Sequence, residues 1–304
     1  MGLSGRPPRD GGFDPRLEMS PEELHLLRDL FLQASGFLLR EDLKFIAERR
    51  LAPRLELLGL RDFAGYARYL RFDARGADEL ESAIDLLVPH ETYFFREPTQ
   101  LRCFEQELMP LVEKKNERSR SLQLWSAGCS TGEEPYTLSM LLHDRPSVQG
   151  WDRDILGTDL SRKALTSARK AEYGPMALRA TTPEQKAKFF EPVTHPTSSH
   201  QGALNDSGRV RLLPQFREPV RFGQLNLLDT SAASLLPRFD VIFCRNVLIY
   251  FDQATRRRVV ELFFERLTQG GYLLLGHSEN LLHLSTRFEL VQLEGDLVYR
   301  RPGP

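Results

Sequence analysis

Two hydrophobic rhythms divide the chain near residue 88. Before that point apolar residues recur at three- and four-residue spacing, the signature of amphipathic helices. Leu24, Leu27, Leu30 and Phe31 form one such stripe. It opens on Ser20-Pro21-Glu22-Glu23, with serine placed to cap, proline at the first helical position and glutamate at the third, and Gly36 closes it. A second helix is predicted from about Glu41 towards Leu58, kinked or broken at Pro53, and two more over Phe63–Leu70 and Asp78–Leu87. Residues 19–88 therefore read as a small all-helical domain, behind a Gly-, Pro- and charge-rich tail, residues 1–18, predicted to be disordered.

Past residue 88 the apolar runs shorten to strand length and alternate with helices. An aromatic-rich linker, His90-Glu91-Thr92-Tyr93-Phe94-Phe95-Arg96, leads into a helix from Gln100 to about Lys114, so residues 89–121 join the two parts. Strands are predicted at Leu122–Trp125, Ile155–Leu160, Val220–Leu225, Phe239–Cys244 and Tyr272–Leu275, with a closing antiparallel hairpin at Phe288–Gln292 and Asp296–Arg300. Helices fall between them: one begins at Thr131-Gly132-Glu133-Glu134, one follows the cap Ser161, and one runs from about Gln253 to Gln269 and stops at Gly270-Gly271. The rhythm breaks between Ala171 and about Pro219, a stretch too long for a plain loop and expected to be a small inserted subdomain. Residues 122–304 are thus predicted as an α/β domain on a mostly parallel sheet, with ligand expected at the carboxyl ends of its strands.

Composition narrows the class only a little. The chain has 304 residues, 41% hydrophobic and 27% charged, enough to bury an ordinary core. A net charge of −1 gives no bulk field favouring nucleic acid or membrane. No apolar run reaches the length of about 18 residues that a spanning helix needs, and MGLSGRPPRDGGFDP lacks the apolar centre of a signal peptide. The expected location is the cytoplasm. Cys103, Cys129 and Cys244 fit no zinc spacing and read as small buried thiols, so no metal is expected.

Candidate chemistry begins at Ser126-Ala127-Gly128-Cys129-Ser130-Thr131-Gly132, small residues between a strand and a helix. Such a loop lets backbone approach a ligand closely. It is neither a Walker A loop nor a full GxGxxG. Glu133 and Glu134 would repel a polyphosphate and suit a ligand bearing hydroxyls or an ammonium group. Asp159, at the end of the second strand, stands where this fold commonly holds a ribose. In the helical domain Arg40, Lys44, Arg49, Arg50 and Arg54 cluster, diluted by Glu41, Asp42 and Glu48; the cluster reads either as a solvated helix face or as a docking surface for an acidic partner.

Taken together, ETYFFRE at 91–97, WSAGCSTGEEPY at 125–136, Asp159 in GTDLS, FCRNVLIYFD at 243–252 and GGYLLLGHSENL at 270–281 resemble the CheR-type chemotaxis receptor methyltransferases, S-adenosylmethionine-dependent protein-glutamate O-methyltransferases. The resemblance spans residues from about 19 to 300. It implies a Rossmann-like methyltransferase domain with an inserted subdomain, behind a helical domain. By resemblance His90, Thr92 and Arg96 face S-adenosylmethionine, Glu134 lies near its amino group, Asp159 takes the ribose, Asn226 and Leu227 flank the adenine, and Arg245 and Asn246 line the floor. Arg96 and Tyr250 are similar to the residues nearest the transferred methyl, and S-adenosylhomocysteine is the implied product. His90 stands where the family usually has asparagine.

The implied acceptor is a glutamate on the acidic helical bundle of a methyl-accepting chemotaxis receptor, which raises Arg40, Lys44, Arg49, Arg50 and Arg54 as its docking surface. Arg245-Asn246-Val247-Leu248 occupies the place where base-modifying relatives carry an Asn/Asp-Pro-Pro-aromatic motif, which argues against nucleic acid. The other reading left open is a cofactor-binding sensor or scaffold with weak catalysis. Some members of the family capture a receptor tail on an edge of the inserted subdomain, beside a glycine-rich turn. Here residues 191–210 carry separated glycines, Gly202 and Gly208, together with Pro192 and Pro196, so no tail tether is expected.

Overall fold

A computed structural model describes residues 17–193 and 208–303, and the chain divides into two compact units, Met1–Pro89 and His90–Pro304. The first is all-helical: α1 (Pro21–Ser35), a 3-10 turn (Glu41–Leu43), α2 (Lys44–Leu57), α3 (Phe63–Phe72) and α4 (Gly76–Leu87). Helix α1 starts as its sequence predicts: Ser20 Oγ accepts from Glu23 N–H, Glu23 reaches back to Ser20 N–H, and Gly36 ends the helix at φ 76°. Pro53 does not break α2. It lies on the exposed face, while Ala47, Leu51 and Leu55 on the opposite face are fully buried and keep the helix seated.

The second unit opens with α5 (Pro98–Cys103), a π-helical turn (Phe104–Leu108) and α6 (Met109–Asn116), then β1 (Ser121–Ala127), α7 (Glu133–His143), β2 (Asp152–Asp159) and α8 (Arg162–Lys170). The inserted stretch holds β3 (Glu172–Tyr173), α9 (Pro183–Phe189), β4 (Phe190–Pro192), β5 (Val210–Leu212) and α10 (Pro214–Arg217). The main fold resumes with β6 (Val220–Gln224), α11 (Thr230–Ser234), β7 (Phe239–Cys244), α12 (Gln253–Arg266), β8 (Leu267–Leu275), β9 (Glu289–Gln292) and β10 (Leu297–Arg300).

Seven strands form one sheet in the order β6-β2-β1-β7-β8-β10-β9. The first five are parallel, and β10 runs antiparallel between β8 and β9. Strand β1 pairs with β2 on one side and β7 on the other, so the chain reverses its direction of travel across the sheet there, the switch point at which doubly wound sheets bind ligands. Every residue of β7 is buried, because helices cover both faces; that is why Val241–Cys244 reads as a continuous apolar run, and the one charge in the strand, Asp240, is paired with Lys115 at 2.7 Å.

The predicted helix end at Gly270-Gly271 is corrected. Helix α12 stops at Arg266, and β8 already runs through both glycines. Leu267, fully buried, pairs with Phe239 across an irregularity in the β7–β8 register. A Cβ at Gly271 would lie 2.9 Å from Thr268 O and 3.0 Å from Asp240 O, so Gly271 permits close backbone approach within a strand, while Gly270 supplies a left-handed φ of 72°. Within the inserted stretch, β5 ends at Leu212 and gives way to α10.

The inserted sheet has the order β3-β5-β4, and of the turn invoked against tail binding, residues 194–207, with Pro196 and Gly202, lie outside the described residues. Pro192 belongs to β4 and pairs with Val210. Val193 N–H donates to Arg209 O at 3.1 Å, so by strand alternation the nitrogen of Pro192 points away from β5. The internal ladder is intact, and the missing donor is on the outer edge.

Candidate functional site

The carboxyl ends of β1, β2, β7 and β8 converge on the loop Gly128–Gly132. Gly128 N–H and Cys129 N–H both donate to Thr158 O, at 2.8 and 2.9 Å, which folds the loop over the end of β2. Gly128 (φ 82°) has no room for a side chain: a Cβ would stand 2.4 Å from Val247 Cγ2. Gly132 (φ 92°) would meet Ala168 Cβ at 2.9 Å and Phe222 at 3.1 Å. Both positions need glycine for conformation and space together. Asp159 closes the loop: one carboxylate oxygen accepts from Ser130 N–H at 2.7 Å, the other from Ser161 N–H at 2.9 Å. Ser130 Oγ donates to His90 O at 3.3 Å, which brings the linker to the loop, with Thr92 two residues on.

Arg245, buried at the end of β7, is the electrostatic hub. Its Nη1 donates to Glu134 at 3.1 Å, and its Nη2 to Glu97 at 2.9 Å and to Arg96 O at 2.7 Å. Glu134 also accepts from Ser126 Oγ at 2.7 Å. Burial works against the Glu97 charge, but Arg245, with His277 and Arg96 helping, holds its carboxyl below the usual range. Phe95 and Glu97 both have φ 58°, so Arg96 sits on a strained turn that Arg245 grips through the Arg96 carbonyl and the Glu97 side chain. Arg96 Nη1 donates to Glu91 O at 3.0 Å. Burial raises the Tyr250 hydroxyl, and the Arg96 charge opposes that rise, which places the two within electrostatic reach of each other.

Asn246 (φ 61°) follows Arg245, and Asn226 Oδ1 accepts from Leu228 N–H at 3.0 Å in the turn after β6, beside buried Leu227. All the residues assigned by resemblance to the cofactor and the methyl group therefore belong to the second unit and sit at the carboxyl ends of its strands or on the adjoining linker and first turn of α7. The donor set fits S-adenosylmethionine. Asn246 Oδ1 and Arg245 Nε are buried without a partner among the described residues, Glu134 supplies a carboxylate for an ammonium group, and the glycine cradle admits backbone contact.

Three acids carry more than the sequence reading assigned them. Glu97 holds Arg245. Glu279 accepts from Gly276 N–H and Asn246 N–H, both at 2.8 Å, and from Ile249 N–H at 3.2 Å. Glu133, buried in the first turn of α7, is pushed up to about 7 by burial, with the Thr131 hydroxyl (2.7 Å) as its partner. Glu97 and Glu279 stand in the quoted motifs ETYFFRE and GHSENL, the only signal that marked them. Burial pushes the Cys129 and Cys244 thiols well up, as inert buried thiols require. A cavity of about 280 Å³ lies beside the segment that carries Tyr250, lined among others by Leu248, Ile249, Gln253, Glu279 and Asn280.

The basic cluster of the helical unit is largely neutralised. Arg40 pairs with Asp42 at 3.1 Å, Lys44 with Glu48 at 3.0 Å, and Arg54 with buried Glu79. Arg50 Nη1 donates to Leu86 O at 2.8 Å. Arg49 is exposed, its guanidinium 5.7 Å from the Phe45 ring centroid. No helix among the described residues is long and apolar enough to cross a membrane.

Known proteins match this arrangement along nearly the whole chain. Residues 22–88 match the CheR methyltransferase all-alpha domain, and residues 90–296 match the CheR methyltransferase SAM binding domain. Chemotaxis protein methyltransferase 2 of Vibrio cholerae is 34% identical over 276 residues, covering 90% of this chain and 91% of that one. The chemotaxis protein methyltransferase of Escherichia coli is 34% identical over 284 residues, 93% of this chain and 92% of that one. Chemotaxis protein methyltransferase 1 of Pseudomonas aeruginosa is 31% identical over 288 residues, 91% and 97% of the two chains. With a helical unit, a doubly wound sheet and a glycine cradle in the places these matches require, the chain belongs to the CheR family of S-adenosylmethionine-dependent methyltransferases.

Proposed function

We propose that the enzyme methylates glutamate side chains of chemotaxis receptors, giving glutamate methyl esters. The observation that supports this reading is a guanidinium, Arg96, held on its turn by Arg245 and close enough for its charge to act on a phenol, Tyr250. When bound, S-adenosylmethionine supplies an electrophilic methyl on a sulfonium. A glutamate acceptor is already ionised at neutral pH, with an ordinary pKa of about 4.3, so no general base is required. The site's task is alignment. Arg96 and Tyr250 hold the acceptor carboxylate by charge-assisted hydrogen bonds. Arg245 fixes Arg96 through its carbonyl and Glu134 through its carboxylate, so one buried cation sets both ends of the transfer. Asp159, Asn226, Leu227, Asn246, His90 and Thr92 hold the nucleoside and methionyl parts.

The receptor docks through the helical unit, at Arg49 and Arg50 above all, since Arg40, Lys44 and Arg54 are paired within the unit. A tail tether is not used: the outer edge of β4 lacks a donor at Pro192, and β3 offers only two residues. The enzyme works in the cytoplasm.

The test is transfer of a tritiated methyl group to receptor-bearing membranes, scored as base-labile label. Tyr250→Phe should lower kcat by about tenfold or more and leave S-adenosylhomocysteine affinity within about twofold. Absence of base-labile label with the wild type overturns the acceptor assignment, and an unchanged kcat in Tyr250→Phe overturns the role of Tyr250. Removing the receptor's C-terminal tail should leave the rate unchanged.

A further inference from the structure

The segment after β7 carries two groups the reaction depends on, Asn246 and Tyr250, yet little regular structure holds it. Asn246 is left-handed at φ 61°, and a single 3-10 turn, Leu248–Tyr250, follows. Its internal backbone bonds are Tyr250 N–H to Val247 O and Phe251 N–H to Leu248 O, each 3.1 Å. Neither uses the N–H of Asn246 or of Ile249. On one side lies the cavity of about 280 Å³ lined by Leu248 and Ile249, so packing alone leaves the segment room to shift.

We propose that Glu279 is the positioning residue for this segment, its carboxylate pinning Asn246 and Ile249 to the end of β8 and so fixing Tyr250 for the methyl acceptor. The inference rests on the reading of Tyr250 given above. The geometry is specific. One oxygen of Glu279 accepts from Gly276 N–H and Asn246 N–H, both at 2.8 Å, and the other accepts from Ile249 N–H at 3.2 Å. The carboxylate thereby spans two loops that follow adjacent parallel strands. Gly276 makes the approach possible, since a Cβ there would fall 2.9 Å from both Asn246 N and Nδ2. Among the described residues no lysine or arginine forms an ion pair with Glu279; its partners are backbone amides. Burial raises its pKa, and those same amides work against the rise. A carboxylate offers acceptors on both oxygens, whereas the isosteric amide of glutamine has one acceptor and turns an N–H₂ group towards a backbone donor. Glu279→Gln therefore cannot satisfy both sides: with its oxygen kept on Gly276 and Asn246, its N–H₂ faces Ile249 N–H, and the arm nearest Tyr250 is lost with almost no change in volume.

The decisive measurement is amide hydrogen exchange at Asn246 and Ile249, followed by kinetics. In the wild type both amides should be protected, and in Glu279→Gln that of Ile249 should exchange about tenfold faster or more. The variant's kcat should fall about tenfold or more, with the receptor KM within about threefold. In a double-mutant cycle with Tyr250→Phe the two losses should combine to less than their product, because Glu279 acts through Tyr250. Wild-type amides at Asn246 and Ile249 exchanging as freely as exposed ones overturn the proposal even if the variant does not fold. So do unchanged exchange or unchanged kcat in folded Glu279→Gln, and so do losses that multiply independently. A Tyr250→Phe enzyme with normal kcat strikes the reading of Tyr250, while faster exchange at Ile249 in Glu279→Gln still upholds the clamp.

Discussion

Each unit of the molecule contains an arginine held by carboxylates, and the two clusters are built to different ends. In the helical unit Arg54 Nε donates to Glu79 at 2.9 Å, its Nη2 reaches the other oxygen, and the Tyr66 hydroxyl adds a bond at 2.7 Å. The members stand on α2, α3 and α4, and none of these three side chains has a buried polar atom without a partner. In the second unit Arg245 meets Glu134, Glu97 and the Arg96 carbonyl, all on loops or first turns, and its Nε has no partner among the described residues. A closed cluster on helices is a staple. An open one on irregular backbone, with strain at Phe95 and Glu97, stabilises less than its number of contacts suggests and holds groups ready for a ligand.

The sharpest way to break this contrast is to delete each arginine. Arg245→Ala leaves Glu97 and Glu134 part-buried without their cation, a loss on the order of 3–5 kcal/mol for a buried pair. Affinity for S-adenosylhomocysteine should fall by about 100-fold or more, because Glu134 and the linker lose their anchor. Arg54→Ala should lower the melting temperature and leave that affinity unchanged within about twofold. Calorimetry and thermal unfolding on both variants check the pair, and a large affinity loss in Arg54→Ala would erase the distinction.

The carboxylates sharpen it through pH. Glu79 is also buried, but Arg54 and Tyr66 hold it below its ordinary value. Its stabilisation is present above that ordinary value and is lost as pH falls through the depressed one. Glu133 has the Thr131 hydroxyl as its side-chain partner, no ion pair among the described residues, and a pKa pushed up by burial from 4.5 to about 7, with Arg179 only a minor opposing charge. Its contribution runs the other way: fully present below 4.5, and lost as pH rises through about 7. Glu133→Gln keeps an acceptor for Thr131 and removes the loss, so it should be the more stable protein above pH 7, by roughly 2–3 kcal/mol at most. Melting temperatures of wild type and variant should diverge as pH rises from about 4.5 towards 7 and stay apart above it. A constant gap from pH 5 to 8.5 rules the explanation out.

Asp159 tests how far the cradle and the ligand share one group. Its oxygens already accept from Ser130 and Ser161 N–H, so the acid expected to hold a ribose also holds the loop. Asp159→Ala should weaken S-adenosylhomocysteine binding about tenfold or more, the worth of one or two buried hydrogen bonds to a charged group. It should also lower the melting temperature of the ligand-free protein, because Ser130 N–H loses its acceptor. Weaker binding with an unchanged ligand-free melting temperature would assign Asp159 to the ligand alone.

How much was legible in the sequence follows from the range of each interaction. The cap at Ser20, the stop at Gly36, the glycine-bearing turn and the position of Asp159 at the end of β2 were readable because each is set within a few residues or within one strand–turn–helix unit. Glu97 was not assigned because its partner Arg245 is 148 residues away. Glu279 was missed for a like reason, since Asn246 is 33 residues before it. The end of α12 was misplaced because Gly270-Gly271 marks a helix stop in isolation, and only pairing with β7 makes it strand. The basic cluster showed its charges and hid their partners: Glu79 lies 25 residues beyond Arg54.

That last point sets the smallest effect, and the one that reaches the surface. Reversing Arg54 would put two acids against each other in the helical core, so it cannot report on docking. Arg49 and Arg50 are exposed and make no ion pair among the described residues. Exposed charges contribute about 0–1 kcal/mol each, so Arg49→Glu with Arg50→Glu should raise the receptor KM only about three- to tenfold. Screening makes the signature distinctive: the wild-type advantage should shrink between low and high ionic strength, as the Debye length falls from roughly 30 Å at 0.01 M to about 8 Å at 0.15 M. S-adenosylhomocysteine affinity should stay near wild type, and the melting temperature should fall slightly, since Arg50 gives up its hydrogen bond to Leu86 O while the Arg54–Glu79–Tyr66 staple is untouched. If the double reversal leaves KM unchanged at low salt, the acidic receptor is read elsewhere, and the helical unit's cations serve its own carboxylates.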